Sequence, residues 1–166
     1  MPLGAVRCRS DGSDLSRVRR YSDLMVESAD RVWLPFRTVG SLVRPDLELS
    51  EGLHVVRNAD EWTRHWAGPS SGQPWLLPAP AVDWQTEMCV VAALGTRGSS
   101  GYDVLIDAIS VVGDRMTVLA WEIQPGKSCV ALCVITHPFH AVAVPAHAGV
   151  VELAKRIAYE DCEAAE

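Results

Sequence analysis

Two groups of residues have types and spacings that could do chemistry. Cys129, Cys133, His137 and His140 follow a Cys-x3-Cys-x3-His-x2-His pattern, and all four side chains are of the kind that hold zinc. A helix would bring them to one face, but Val130, Ala131, Leu132 and Val134 favour a strand, and Pro138 blocks a continuing helix. On a strand Cys129 and Cys133 stand about 13 Å apart at roughly 3.3 Å per residue, too far for one metal. No metal or other cofactor is therefore expected, and both cysteines read as small core hydrophobes on one sheet face. Cys129 beside His140 on neighbouring strands could form a nucleophile–base pair, but no local signature of a thiol hydrolase accompanies them. A Cys/His metal- or thiol-dependent enzyme is the least favoured reading.

The second group is the loop Arg97, Gly98, Ser99, Ser100, Gly101 and Tyr102. A guanidinium can grip a carboxylate or phosphate bidentately, and the N–H groups of a glycine-serine turn can form an anion nest. The same composition also suits a hairpin tip chosen only for its turn chemistry. Asp103 and Asp107, four apart on one strand face, are too distant for a shared-proton dyad and read as solvated or paired with arginine.

The loop needs a frame, and the flanking runs supply it. MCVVAALG before it is an unbroken apolar run, the mark of a central strand buried on both faces. After it, YDVLIDAI alternates in a β-like way, and Gly113-Asp114 joins it to RMTVLAWEI as a hairpin. In RMTVLAWEI, Thr117, Leu119, Trp121 and Ile123 share a face that the pattern points to the core. CVALCVI and FHAVAV are read as further strands, and WLPFRTVGSLV as an edge strand broken by Pro35 and Gly40. Asn58, just before ADEWTRHWAG, and Glu61 within it make a capping box, and Gly68 is a stop. Trp62 and Trp66, at i and i+4, would pin that helix, about 59–67, to a sheet.

GPSSGQPWLLPAPAVDW holds four prolines and two glycines and reads as an ordered loop, tacked down by Trp75, Leu76 and Leu77. Residues 1–32 form a polar arm with a short helix between Asp14 and Glu27. The tail 149–166 reads as an amphipathic helix, with Val150, Leu153, Ala154 and Ile157 on one face. The expected architecture is mainly β (α+β): an antiparallel sandwich or half-barrel of about seven short strands over 33–148, with one packed helix and a C-terminal helix.

The totals bound the partners. A net charge of −6 opposes a phosphate backbone or an anionic membrane, so no nucleic acid is expected. No apolar run approaches the roughly 20 residues of a membrane span, so no membrane is expected either. Five scattered cysteines do not outline a disulfide framework, which favours reduced thiols. The opening MPLGAVRCRSDGSDLSRVRR lacks the apolar stretch of a signal peptide, which leads to a cytoplasmic expectation.

PFRTVG, HVVRNADEWTRHW, PAVDWQTEMCVVAALGTRGSSGYDVLIDAI and QPGKSCVALCVITHPFHAVAVP, in that order, resemble the C-terminal domain family of the protease complex subunit PrcB over Pro35 to Ala146. In that family an Arg-Pro-Thr-Gly-Gly-Tyr type loop stands where this chain has Arg97 to Tyr102; Arg97, Gly101 and Tyr102 match, while Gly98, Ser99 and Ser100 depart. The resemblance implies a non-catalytic accessory module that binds a protein partner, a protease or its complex, with residues 97–102 as the contact loop. Family members are often exported. A loop ending in Gly-Tyr between strands is also similar to that of chagasin-like cysteine protease inhibitors, which makes direct inhibition an alternative.

Overall fold

The computed structural model describes residues 30–41, 49–67 and 79–162. The expected arm helix at 14–27, the Gly68 stop and the Trp75–Leu77 contacts lie outside them. The described elements run β1 (Val32–Trp33), β2 (Arg37–Ser41), β3 (Gly52–Val56), α1 (Ala59–Ala67), β4 (Glu87–Ala93), β5 (Asp103–Val112), β6 (Arg115–Pro125), β7 (Phe139–Pro145) and β8 (Val150–Glu160). They build two four-stranded sheets, one ordered β1-β5-β6-β8 and the other β2-β7-β4-β3. This is the mainly β, sandwich-like α+β architecture that the strand pattern predicts.

The layers follow from which strands are apolar on both faces. Met88, Val90, Ala92 and Leu94 of the β4 segment meet Val104, Ile106, Ile109, Met116, Val118 and Ala120 of the facing sheet in the main core. The alternate β4 residues Cys89, Val91 and Ala93 turn the other way and, with Val56, Phe139 and Ala141, pack beneath Trp62 and Trp66 of α1. β4 is thus buried on both sides, and α1 forms a third layer. The helix starts where the Asn58 side chain accepts the Glu61 N–H at 2.8 Å, while the Glu61 carboxylate reaches back to the Arg57 N–H. The Trp62 indole donates to Pro80 O at 2.9 Å, so this large ring is buried without an orphaned N–H.

Three expectations are corrected. The tail is not a helix: residues 150–160 form β8, paired in parallel with β6 along its whole length. Val150, Leu153, Ala154 and Ile157 fit a helical stripe, but Val151, Leu153, Lys155, Ile157 and Tyr159 fit a strand's two-residue repeat equally well. The free edge of β6 decides between them, because a strand there satisfies backbone groups that a helix would leave unpaired. It also makes one pair parallel in an otherwise antiparallel fold. CVALCVI is not a strand, for residues 129–135 make no ladder and are mostly exposed.

Trp121 is not core. Met116, Val118, Ala120 and Glu122 are the buried face of β6, and Trp121 is half-buried on the outer one. There its indole donates to Asp107 at 3.4 Å and lies under the Arg156 guanidinium, 5.1 Å from the ring centre. Both faces of β6 are apolar, so alternation alone could not choose between them.

His140 ties the sheets together. From β7 its Nδ1 accepts the Ile106 N–H at 2.8 Å, beside a bulge between Ile106 and Ala108, and its Nε2 lies 3.0 Å from Thr38 Oγ1. Accepting at Nδ1 requires the neutral ring, so Nε2 donates to the hydroxyl. Burial lowers its pKa, with Asp103 opposing weakly. The unfolded chain takes up that proton near about 6.5, the folded chain only at lower pH. The stability this neutral ring supports is complete above that point and is lost as the pH falls toward the folded value. Denaturant titrations at pH 7.5 and 5.5 should show a smaller acid loss in His140→Gln than in the wild type. His65, also lowered by burial, supplies a remaining slope; an unchanged slope would refute the assignment to His140.

Gly40 sits at the β2 bulge, where an added Cβ would lie 2.8 Å from the Trp66 ring. Gly40→Ala should cost about 1–3 kcal/mol through overpacking, read by thermal unfolding. Gly52→Ser, where a Cβ would meet nothing within 4 Å although φ is +133°, separates backbone strain from this clash.

Candidate functional site

The loop after β4 begins and ends on glycines with φ of +70° at Gly95 and +89° at Gly101. These left-handed positions turn the chain out of the sheet and back. Between them Arg97 forms an antiparallel bridge with Thr136, N–H to carbonyl both ways at 2.8 and 2.9 Å. The Ser100 N–H donates to Leu132 O, the Leu132 N–H donates to Ser100 Oγ, and Thr136 Oγ1 donates to Ser99 O. The loop is therefore one half of a tip whose other half is 129–136.

The Arg97 side chain does not project to a partner. Its guanidinium lies 3.3 Å from Glu122 and 3.4 Å from Glu51, donates to Leu94 O, and stacks over Tyr102 at 5.7 Å. Lys155 of β8 completes the arrangement, its Nζ 2.6 Å from Glu122 and 2.7 Å from Glu51. Two carboxylates and two cations alternate in a closed ring that joins β6, β8, the segment before β3 and the loop. Glu122 is the inner member, 4% exposed. Its burial alone would raise its pKa, but hydrogen bonds from Lys155 and Gln124, with the Lys155 and Arg97 charges, outweigh that and hold it below the ordinary carboxylate range. Burial would likewise lower Lys155, and the bonds to Glu122 and Glu51 raise it instead.

Sequence reasoning found Arg97 but missed its partners. The available signal was a single acid, Glu122, in an apolar strand and a single Lys155 on the inward repeat of the tail. Each is an isolated charge at a core position, and such charges are paired when buried.

The other half of the tip corrects a further reading. Cys129 is not a free core thiol but forms a disulfide with Cys162, just beyond β8. The expectation of reduced thiols fails for this pair, because the β8 strand brings back a cysteine 33 residues away. Cys133 is exposed, and His137 and His140 are buried elsewhere. The Cys-Cys-His-His set is thus dispersed, and among the described residues no group of three or more His, Cys, Asp or Glu could hold a metal. What the tip displays instead is apolar: Val130 is 93% exposed, Leu132 69% and Ile135 64%.

The tip, the β5–β6 hairpin and the two central strands of the opposite sheet flank all of this geometry, and that stretch has a counterpart among known families. Residues 88–145 match the family model described as PrcB C-terminal. Over those residues the chain is similar to that family. The match runs from β4 through β7 and includes both halves of the tip and Glu122, while Glu51, α1 and Lys155 lie outside it. No curated protein and no solved structure matches the chain.

The ionic ring has a measurable signature. Lys155→Met strands the buried Glu122 charge on Arg97 and Gln124 alone and should cost toward the lower end of about 3–5 kcal/mol. Adding Glu122→Leu removes that charge and should restore part of the loss. A double-mutant cycle by urea unfolding reads the coupling, and additive losses would contradict the ring.

Proposed function

We propose that this PrcB-like domain is a non-catalytic accessory module that joins a protease complex by binding a protein partner through its tip. The observation that carries the reading is the display of Val130, Leu132 and Ile135 on a loop braced by the 97–102 loop and the Cys129–Cys162 disulfide. Apolar side chains held on a braced loop lose little conformational freedom on docking, and burying them in an apolar cleft removes apolar surface from water. The family match supports the protease-complex setting. The net charge of −6 speaks against a nucleic-acid partner.

Two of the cysteines are poor nucleophile candidates: Cys129 is held in the disulfide, and burial pushes the Cys89 thiol up to about 12. Cys133 is a free, exposed thiol, and the disulfide removes the Cys129–His140 nucleophile–base pair. In this reading the expected contact loop, Arg97 to Tyr102, acts as the brace, and Gly98 and Gly101 are its exposed points. The disulfide supports an oxidising compartment as the place of work in preference to the cytoplasm.

Affinity capture with the full chain should return a protease or a subunit of a protease complex. Leu132→Asp combined with Ile135→Asp should reduce that capture at least tenfold with an unchanged unfolding midpoint. Capture that contains no protease component, or that survives both substitutions, would overturn the proposal.

A further inference from the structure

Among the described strands, β8 has the one long edge left open. β1 has two residues, β2 carries a bulge between Thr38 and Gly40, and β3 has five residues, whereas β8 runs for eleven with no bulge, proline or glycine. Shortness and bulges blunt a sheet edge, and β8 has neither. Its hydrogen-bonding phase is set at both ends: the Val150 N–H donates to Asp114 O, and the Gly126 N–H donates to Glu160 O. Val150 stands level with Arg115 and Glu160 with Pro125, so the even-numbered residues of β8 turn both backbone groups to β6. Pro125, which has no N–H, falls where that ladder needs none. The N–H and C=O groups of Val151, Leu153, Lys155, Ile157 and Tyr159 therefore point off the sheet edge, and among the described residues no backbone group meets them.

We propose that β8 pairs antiparallel with β8 of a second copy of this chain, about a two-fold axis at Ala154, joining two four-stranded sheets into one. The phase restricts the register, because directly opposed residues of an antiparallel pair must both point outward or both point inward. With the axis at Ala154, Glu152 stands opposite Arg156 twice on the outer face. Val150 meets Ala158, Val151 meets Ile157, and Leu153 meets Lys155. An axis at Lys155 or Arg156 sets like cations against each other, and one at Glu152 sets like acids. An axis at Leu153 places Arg156 on Val150 and Lys155 on Val151, with Glu152 opposite Ala154. Opposite charges directly across a pair of strands stabilise it and like charges destabilise it, so Ala154 is the favoured centre. Glu152 keeps its 2.7 Å bond to Arg115 in this arrangement, because a carboxylate accepts from several donors. This self-complementary charge spacing favours a second copy over an unrelated strand.

Sedimentation of the full chain at roughly 100 μM should give a dimer, since one strand pair makes a small interface that needs concentration to form. A monomer there would overturn the proposal. The register is read with Ala154→Cys and Ala158→Cys, each combined with Cys8→Ser and Cys133→Ser. Position 154 faces itself at a non-hydrogen-bonded site, where Cα atoms approach to about 4.5 Å, whereas the two 158 positions stand roughly 26 Å apart along the strands. Oxidation with copper phenanthroline should give a 154–154 disulfide, identified by peptide mass spectrometry, and at least tenfold less product from position 158. No 154–154 bond, or equal product from both positions, would overturn the proposal. Ile157→Pro removes an outward N–H while leaving the β6 ladder whole, and should weaken the dimer at least tenfold. An undiminished dimer in that variant would place the contact elsewhere and overturn the proposal. In each variant a cooperative unfolding transition like the wild type's confirms that the reporting protein is folded.

Discussion

Glu122 is the charge around which this structure closes. It sits on the inward face of β6 among Met116, Val118 and Ala120, where an unpaired carboxylate would cost several kcal/mol. Its two oxygens are met by Lys155 from β8 and Arg97 from the loop after β4, and both cations are shared with Glu51 ahead of β3. One buried acid therefore determines where the C-terminal strand, the loop after β4 and the start of an edge strand must meet. Apolar packing could hold the sheets together at many offsets. A buried ion pair with hydrogen-bonding geometry tolerates few.

The same logic explains why the tip is ordered. Arg97 is held from within by the ring and from outside by its bridge to Thr136, so the backbone on both sides of the loop is constrained. The disulfide between Cys129 and Cys162 then ties the far side of the tip to the end of the strand that carries Lys155. A loop rich in valine, leucine and isoleucine can remain exposed in a defined shape under those constraints, where an unbraced loop would collapse onto the nearest apolar surface. In the proposed reading the contact role falls to the exposed Val130, Leu132 and Ile135, and Arg97 is held inward by the ring.

Much of the architecture was legible from residue pattern. The Asn58–Glu61 cap and the i, i+4 tryptophans specified α1, because capping and helical periodicity are local. The continuous run at Met88 to Leu94 specified a strand buried on both faces, and Gly113-Asp114 a hairpin. Errors arose where two periods or two faces were equally apolar. The 150–160 segment satisfies both a helical and a strand repeat, and β6 offers Thr117, Leu119, Trp121 and Ile123 opposite an equally apolar set. CVALCVI has the composition of a strand with no neighbour to pair with.

By itself the sequence determined the fold class, the capped helix, the central strand and a glycine-flanked loop carrying an arginine, all of them consequences of short-range stereochemistry and repeat. Tertiary structure alone decided that Arg97 turns inward to Glu122, that Cys129 meets Cys162, and that the tail becomes a strand. The physical reason is common to all three. Each depends on a partner distant in the chain, and a charge, a thiol or an unpaired strand edge carries no mark of which distant group will satisfy it until the sheets have been brought together.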